Sequence, residues 1–408
     1  MNEPKKPVVE GALFAVVVLT TMNLLNYIDR WVPSAVKDLF KEDLKLTDAQ
    51  TSLPLSAFIL VYMIASPIFG SLADKAPRKL LIAFGVAAWS LATAGAAFAQ
   101  GFTSLLVARA AVGIGEAAYA TIAPAILADY FPPEKRNRIF TIFYVATPVG
   151  SAIGFVLGGV LGEHWGWRTA FLAVGLPGLL VALLALVMRD PPRGQFDTEA
   201  TTSPPWGEAL RKLSKNARYL YTVGGYVLVT FATGGIADWM ATYLSRHRSF
   251  ELGAAAAAIG QASVIGGIAG TALGGVLADK LKGRVREPYF FVSAVAMFPA
   301  AALCVVALYV AKTPAAIVVS ITAAQVFLWM YNAPVNAMIV NAVDAGLRAR
   351  AFGLSILAIH VLGDVLSPPL IGVISDATDG NLPLALILVP VFIVLGGGVW
   401  LLGWRRVR

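Results

Sequence analysis

Hydrophobic positions along this chain run in long, nearly unbroken stretches instead of the short alternating or one-faced patterns of a soluble domain. Stretches of about 20 apolar residues, enough to cross a bilayer as a helix, recur at approximately 11–38, 50–73, 79–99, 102–128, 137–162, 166–188, 218–245, 252–278, 288–311, 314–342, 349–375 and 383–404. Short basic or Pro/Gly-containing breaks separate them. These twelve spans consume most of the 408 residues, so any chemistry must occur within or between helices. The pattern predicts an all-α membrane protein. The opening MNEPKKPVVE is polar and no small-residue cleavage site follows a short apolar core, so the first span is expected to be retained and not removed as a signal peptide.

Composition agrees: 58% of residues are hydrophobic and 14% charged, against about a quarter charged in soluble globules. The single cysteine, Cys304, excludes an internal disulfide or a Cys-based metal cluster. A net charge of +8 raises the question of an anionic partner, but the placement of the basic residues answers it. Lys5/Lys6, Lys75/Arg78/Lys79, Lys135/Arg136/Arg138, the 189–218 loop, Lys280/Lys282/Arg284/Arg286, Arg348/Arg350 and Arg405/Arg406/Arg408 fall in alternate loops and hold most of the 32 Lys and Arg. The opposite loops carry acids such as Glu42 and Asp43. That asymmetry predicts both termini in the cytoplasm, and the charge then orients the protein instead of binding nucleic acid.

The chain also repeats itself. GSLADK, Gly70 to Lys75, recurs as GVLADK, Gly275 to Lys280, and RNRIF, Arg136 to Phe140, has a counterpart in RARAF, Arg348 to Phe352. Two independent repeats in the same order predict a parallel duplication of six spans. The expected division is an N-terminal six-helix bundle over 1–188, a cytoplasmic linker over 189–216 rich in Pro, Thr and charge, and a C-terminal six-helix bundle over 217–408. Twelve transmembrane helices in two such bundles are the arrangement of the major facilitator fold. GSLADKAPRK resembles the loop motif of that superfamily, with Pro77 where a glycine is usual. More specifically, VGIGEAAYATIAPAILADYF (Val112 to Phe131), FYVATPVGSAIG (Phe143 to Gly154), RDPPRG (Arg189 to Gly194) and NYIDR (Asn26 to Arg30) resemble the Spinster family. The resemblance is clearest in the first half and implies a transporter of sphingoid or lysophospholipid molecules.

Within the spans, charges stand out because each costs roughly 2.5–3.5 kcal/mol to insert. Asp29 and Arg30 are adjacent, so on a helix they point about 100° apart and need separate partners. Pro33 removes the hydrogen bond to the Asp29 carbonyl and is expected to kink the helix there. In the fourth span Arg109, Gly113 and Glu116 lie at i, i+4 and i+7 on one stripe. If the first and fourth spans meet, as in the family fold, Asp29, Arg30, Arg109 and Glu116 are expected to interleave, while Gly113 and Gly115 permit close approach. A fixed clamp is the structural alternative, but buried ion pairs stabilise poorly against apolar packing. Desolvated carboxylates take protons readily, whereas arginine stays charged and grips phosphate bidentately. Asp29 and Glu116 are therefore candidate proton sites, and Arg30 and Arg109 candidate anion sites.

In the second half the polar candidates are Asp238 and Trp239, Gln325, Tyr331, Asn332 and Asn336, and His360 with Asp364. The last two stand at i, i+4 and are expected to hydrogen-bond. Asp238 reads as a solvated charge near a span end. GIGEAA fits a loose dinucleotide pattern, but no strand precedes it; Gly266, Gly270 and Gly274 read as helix packing. The repeated loop aspartates Asp74 and Asp279 are gating candidates, stabilised by the N-terminus of a facing helix; the resemblance implies the eleventh and fifth spans respectively. Asp129 with Arg78, Arg136 and Arg138 is expected to complete a cytoplasmic lock.

Tyr27, Trp31, Tyr119, Phe231 and Trp239 add aromatic, mostly apolar wall around a few charges, which suits an amphipathic ligand with an anionic or zwitterionic head. Candidate substrate-binding residues are accordingly Arg30, Arg109, Tyr27, Trp31, Tyr119, Asn332, Asn336 and His360. The expectation is a monomeric, proton-coupled secondary transporter of a lipid-like solute, with no cofactor beyond the proton gradient, in a bacterial inner membrane. A proton-coupled porter of small organic anions or drugs is the nearest alternative. A polytopic enzyme or receptor finds little support: no H-E-x-x-H, no G-K-S/T loop and no nucleophile beside a histidine.

Overall fold

Why the apolar stretches become separate helices is visible at their ends, where Gly, Pro and left-handed residues interrupt the backbone. A computed structural model of the chain describes residues 9–194, 196 and 205–407; Lys5, Lys6, Arg408 and most of 195–204 lie outside the described residues. The first part contains α1 (Ala12–Ala35), a short α2 (Lys37–Leu44), α3 (Asp48–Ala73), α4 (Arg78–Ala96), α5 (Phe102–Tyr130) and α6 (Pro133–Val187). After the linker come α7 (Trp206–Ser214), α8 (Ala217–Arg248), α9 (Leu252–Ile265), α10 (Thr271–Lys280), α11 (Pro288–Val305), α12 (Pro314–Trp329), α13 (Asn332–Ala342), α14 (Arg348–Ile359), α15 (Ser367–Ala377), the four-residue α16 (Leu382–Ala385) and α17 (Leu388–Arg406). Short π-helical turns join α9 to α10 and α14 toward α15, at Gly266–Gly270 and His360–Asp364. No strand occurs among the described residues.

Eleven helices among the described residues are long and apolar enough to cross a membrane. The twelve expected spans are nevertheless present, because α6 is 55 residues long and breaks at Gly166, whose φ of 80° and ψ of 161° leave helical space. A positive φ of this kind suits glycine, so the fifth and sixth spans turn back on one residue without a loop. α1 runs unbroken through Pro33 to Ala35.

Residues 9–46 and 53–194 cluster as one compact unit, and 47–52 with 205–407 as a second. In the first unit α6 lies along α1 on a stripe of glycines four residues apart. A Cβ added at Gly150 would stand 2.6 Å from the Leu24 carbonyl oxygen, one at Gly154 2.6 Å from that of Ile28, and one at Gly158 2.8 Å from the Ala35 Cβ. Small residues at every fourth position let helix backbones meet. Gly85 of α4 and Gly115 of α5 face each other likewise: their added Cβ atoms would fall 2.7 and 2.5 Å from the partner's carbonyl oxygen. Leu19, Met22, Phe58, Ile82, Val86, Trp89 and Tyr119 fill the interior these contacts enclose.

In the second unit Gly266 and Gly270 lie against α12, where added Cβ atoms would reach the Gln325 Cβ at 2.5 Å and the Trp329 Cβ at 2.9 Å. This is the packing their spacing predicts. The first turn of α3 also belongs here. The Asp48 carboxylate accepts from Arg246 at 2.9 Å and from the Ser375 hydroxyl at 2.6 Å. Asp376 in turn accepts from the backbone N–H groups of Asp48 and Ala49 at 2.8 and 2.9 Å, an anion at a helix N-terminus. Ser52 donates to Asp238 at 2.7 Å. The expectation that Asp238 is solvated is therefore corrected: it is 2% exposed, because α8 continues for ten more residues to Arg248. Cys304 is buried on α11.

If the α1–α6 contact carries the first unit, Gly154→Ala should lower its stability by about 1–3 kcal/mol, the cost of forcing a methyl into a filled contact. Gly398→Ala, where nothing lies within 4 Å, should not. Thermal unfolding of the two variants in detergent checks this, and equal midpoints would refute it.

Candidate functional site

The charges of the first unit gather where α1, α3, α4 and α5 converge. Gly113 brings α5 onto α3, since its added Cβ would lie 2.5 Å from the Phe58 carbonyl oxygen. The expected role of Gly113 and Gly115, close backbone approach, is what they do. Arg30 of α1 pairs with Glu116 of α5 at 2.5 Å, and the arginine side chain is 20% exposed while the glutamate is 0%. Its guanidinium sits in an aromatic cradle, 4.7 Å from the Tyr27 ring centroid, 5.0 Å from Phe58 and 5.7 Å from Tyr62. Arg109, 1% exposed, lies 5.4 Å from the same Phe58 ring. One ring thus serves two guanidiniums, each drawn to its π cloud.

Asp29 points elsewhere, as its offset from Arg30 requires. It is 1% exposed, with Trp89 and Thr93 of α4 and the charges of Glu116 and Arg109 acting on it. The four charges do come together, but not as the interleaved set the spacing suggested: only Arg30 and Glu116 are joined by an ion pair. Asp29 Oδ1, all three Arg109 guanidinium nitrogens and Glu116 Oε1 have no hydrogen-bond partner, and neither have Trp89 Nε1, Ser90 Oγ and Thr93 Oγ1. The reason is rotational: α1 aims Asp29 at α4 while the α5 stripe aims Glu116 at Arg30. An unmade buried hydrogen bond costs about 1–3 kcal/mol, so this arrangement adds little stability as a clamp.

The remaining candidates are spread through both units. Trp31 stacks on Phe155 with centroids 5.4 Å apart. Tyr119 is 1% exposed and its hydroxyl donates to the Leu19 carbonyl at 2.6 Å. Asn332 donates to the Thr271 hydroxyl at 3.3 Å, and Asn336 to the Asn332 carbonyl at 2.8 Å. His360 and Asp364 form the expected pair, His360 Nδ1 standing 3.0 Å from both carboxylate oxygens. They open and close a π-helical turn, a distortion common at functional sites.

Of the gating candidates, Arg78 is the most enclosed. Its guanidinium bonds Asp129, Asp190 and the Pro191 carbonyl, and Asp129 also accepts from the Gly194 backbone N–H at 2.9 Å. Arg193 donates to the carbonyls of Ala73 and Ala76 at 2.9 and 2.8 Å. The RDPPRG segment is thereby strapped across the ends of α3, α4 and α5. Arg136 donates to the Ala128 and Phe131 carbonyls. Asp74 is exposed. Asp279 binds Lys282 at 2.7 Å and Tyr289 at 3.2 Å, and its hydrogen bond raises the Lys282 ammonium above its ordinary value. Sequence reasoning missed Phe58, Tyr62, Trp89 and Thr93; the only signal was their i, i+4 spacing in two otherwise apolar helices.

The model of the Major Facilitator Superfamily matches residues 19–368. Protein spinster homolog 1 of Xenopus laevis is 33% identical over 423 residues, covering 96% of this chain and 80% of that protein. The chain belongs to the Spinster family of the Major Facilitator Superfamily. The sphingosine-1-phosphate transporter SPNS2 of Danio rerio is 30% identical over 417 residues, with 94% of this chain and 82% of the relative covered. A crystal structure of a bacterial homologue of the human lysosomal transporter Spinster superposes with a TM-score of 0.85 at 23% identity, covering 98% of each chain. This Spinster-family chain is an integral membrane protein with the family and fold of transporters.

In this Spinster-family chain the Arg78 cage makes a sharp prediction. Arg78→Ala would remove the buried guanidinium that bridges the Asp129 and Asp190 carboxylates, a loss of about 3–5 kcal/mol for a broken buried pair. Lys212→Ala, in an exposed pair with Glu208, should change stability by less than about 1 kcal/mol. Urea or thermal unfolding in detergent measures both, and similar losses in the two variants would remove Arg78 from its structural role.

Proposed function

We propose that this transporter moves an amphipathic, lipid-like solute, a sphingoid phosphate or a lysophospholipid, by alternating access coupled to protons. The observation that carries this reading is the environment of Arg30: an arginine whose side chain is 20% exposed and pairs with Glu116, with its Nε left without a partner, within a cradle of aromatic rings, suited to a phosphate above apolar wall. Arginine presents a planar fork that matches phosphate oxygens. The Danio rerio relative's name, sphingosine-1-phosphate transporter, supports the same class of solute. Arg109 is the second cation of the site, and Tyr27 and Trp31 its aromatic neighbours. Asn332, Asn336 and His360 are the substrate-contact candidates of the second half.

Asp29 and Glu116 are the proton sites in this reading. A solute head taking Arg30 competes with Glu116 for one cation, so binding favours protonation of the released acid, and by linkage protonation favours binding. No cofactor beyond the proton gradient is required. Asp74, Arg78, Asp129 and Arg136 of the first half and Asp279 of the second are the gating candidates of this reading, with both termini in the cytoplasm and a single chain as the working unit in a bacterial inner membrane.

Flux of sphingosine 1-phosphate and lysophosphatidylcholine into proteoliposomes, with and without a pH gradient, tests the proposal. The native chain should carry at least one of them faster with the gradient, and Asp29→Asn and Glu116→Gln should lose that acceleration. Arg30→Lys should weaken binding by about tenfold or more, since hydrogen bonds to charged groups contribute about 1.5–3 kcal/mol. Transport confined to small organic anions would overturn the lipid reading. Full gradient dependence in both acid variants would overturn proton coupling at these sites.

A further inference from the structure

α7 lies outside the spans, and its apolar side is wider than the face it buries. Ala209 and Leu213 are buried where the helix meets α8 and α14. At about 100° per residue, Trp206 and Leu210 continue the same apolar arc around the helix, yet they are 51% and 45% exposed. Gly207 and Ser214 separate that edge from Arg211, and Lys212, paired with Glu208 at 2.8 Å, lies on the far side. Only Lys215 and Asn216 join α7 to α8. Asn216 accepts from the Tyr219 backbone N–H at 3.0 Å and donates to the Ala342 carbonyl at 2.6 Å, which pins the helix at the head of a span. Its other end is held by α14: the Arg350 guanidinium lies 4.0 Å from the Trp206 ring centroid, with Arg350 Nε buried and without a hydrogen-bond partner. Arg350 belongs to the RARAF repeat, which the gating candidates leave unused.

We propose that α7 and Arg350 form an interfacial anchor for anionic phospholipid, in which Trp206 and Leu210 enter the bilayer surface while Arg350, Arg211 and Lys215 engage headgroup phosphates. Its level is set by the chain: the spans that begin at Ala217 and Arg348 are both long and apolar enough to cross a membrane, and α7 sits at their heads. Leu220 in the first turn of α8 and Ile356 and Leu357 on α14 are 48–49% exposed, so lipid-facing surface starts beside it. A tryptophan and a leucine on one edge, with cations flanking them, match the composition of helices that lie in the interface plane. Arg211 and Lys215 are exposed, and their charge selects an anionic surface over a zwitterionic one. Two exposed apolar side chains on nine residues fall far short of a stable protein interface, which takes about 800 Å² per partner, but suffice for a surface helix already tethered to a span. Neither the solute nor proton coupling enters this assignment.

The test uses the purified full chain in nanodiscs of phosphatidylcholine mixed with either brominated phosphatidylglycerol or brominated phosphatidylcholine at equal mole fraction. Bromine on the acyl chain quenches indole fluorescence on contact, and subtracting the signal of Trp206→Phe isolates Trp206 from the other tryptophans. Trp206 should be quenched by both lipids and more strongly by the phosphatidylglycerol, with the preference fading as salt is raised. Arg211→Gln, Lys215→Gln and Arg350→Gln should each cut that preference by up to about fivefold. The first two replace exposed side chains, so they keep the test open if Arg350→Gln disturbs the fold. Arg350→Lys, which retains the charge, should keep most of the preference. No quenching of Trp206 by either lipid would overturn the anchor. Trp206 shielded from both brominated lipids and from aqueous iodide would give the face to a protein contact and overturn it equally. Equal quenching by the two lipids, unchanged in all three Gln variants, would overturn the recognition of anionic headgroups.

Discussion

At Gly154 and Gly115 the backbones of neighbouring helices approach within the space of a single methyl group, and the burial of charge in the first unit depends on that approach. Lipid is as apolar as leucine, so helices in a membrane gain little from hiding hydrophobic surface and hold together through close contact and polar complementarity. The glycine contacts supply the first. They fix α1 on α6, α4 on α5 and α5 on α3, and the side chains that remain between these pairs include two acids and two arginines. Residues with larger side chains at these glycines would part the helices, and the acids and arginines would lose the company that makes their burial tolerable.

Within that enclosure the charges balance in number but not in contact. Arg30 and Glu116 pair; Asp29 and Arg109 are near each other without a bond. The Phe58 ring lies by both guanidiniums, so the two cations are held by a neutral partner that neither protonates nor leaves. A proton added to either acid therefore changes the net charge of the cluster without requiring a side chain to cross the interior. An anion reaching Arg30 changes it in the opposite sense. In the reading proposed above, coupling between solute and proton needs no more machinery than this shared electrostatic sum.

Much of this was legible in the sequence, and the parts that were not share a cause. The spans, the duplication, the Arg109–Glu116 stripe and the divergence of Asp29 from Arg30 follow from helical geometry, which is local. Which acid meets which arginine depends on how far each helix is rotated about its axis, and that is set by distant glycines such as Gly113 and Gly154. Asp238 was misread for a related reason: its burial depends on Ser52, 186 residues away, at a helix start that clusters with the second unit. Trp89 and Thr93 were silent because a tryptophan and a threonine in an apolar run resemble ordinary packing until the chain facing them is known. The one-residue turn at Gly166 was hidden by the continuity of apolar residues on either side.

The burial of Cys304 has a practical bearing on how such a molecule can be watched. It is the chain's only cysteine and its side chain lies in the packed interior of α11, 3% exposed. A water-soluble thiol reagent meets no native competitor at the surface, so a cysteine introduced at any exposed helix end becomes the sole site of attachment for a fluorophore or spin label. The native sequence thus already provides a reporter background, with no need to delete a thiol and repair the packing it leaves behind.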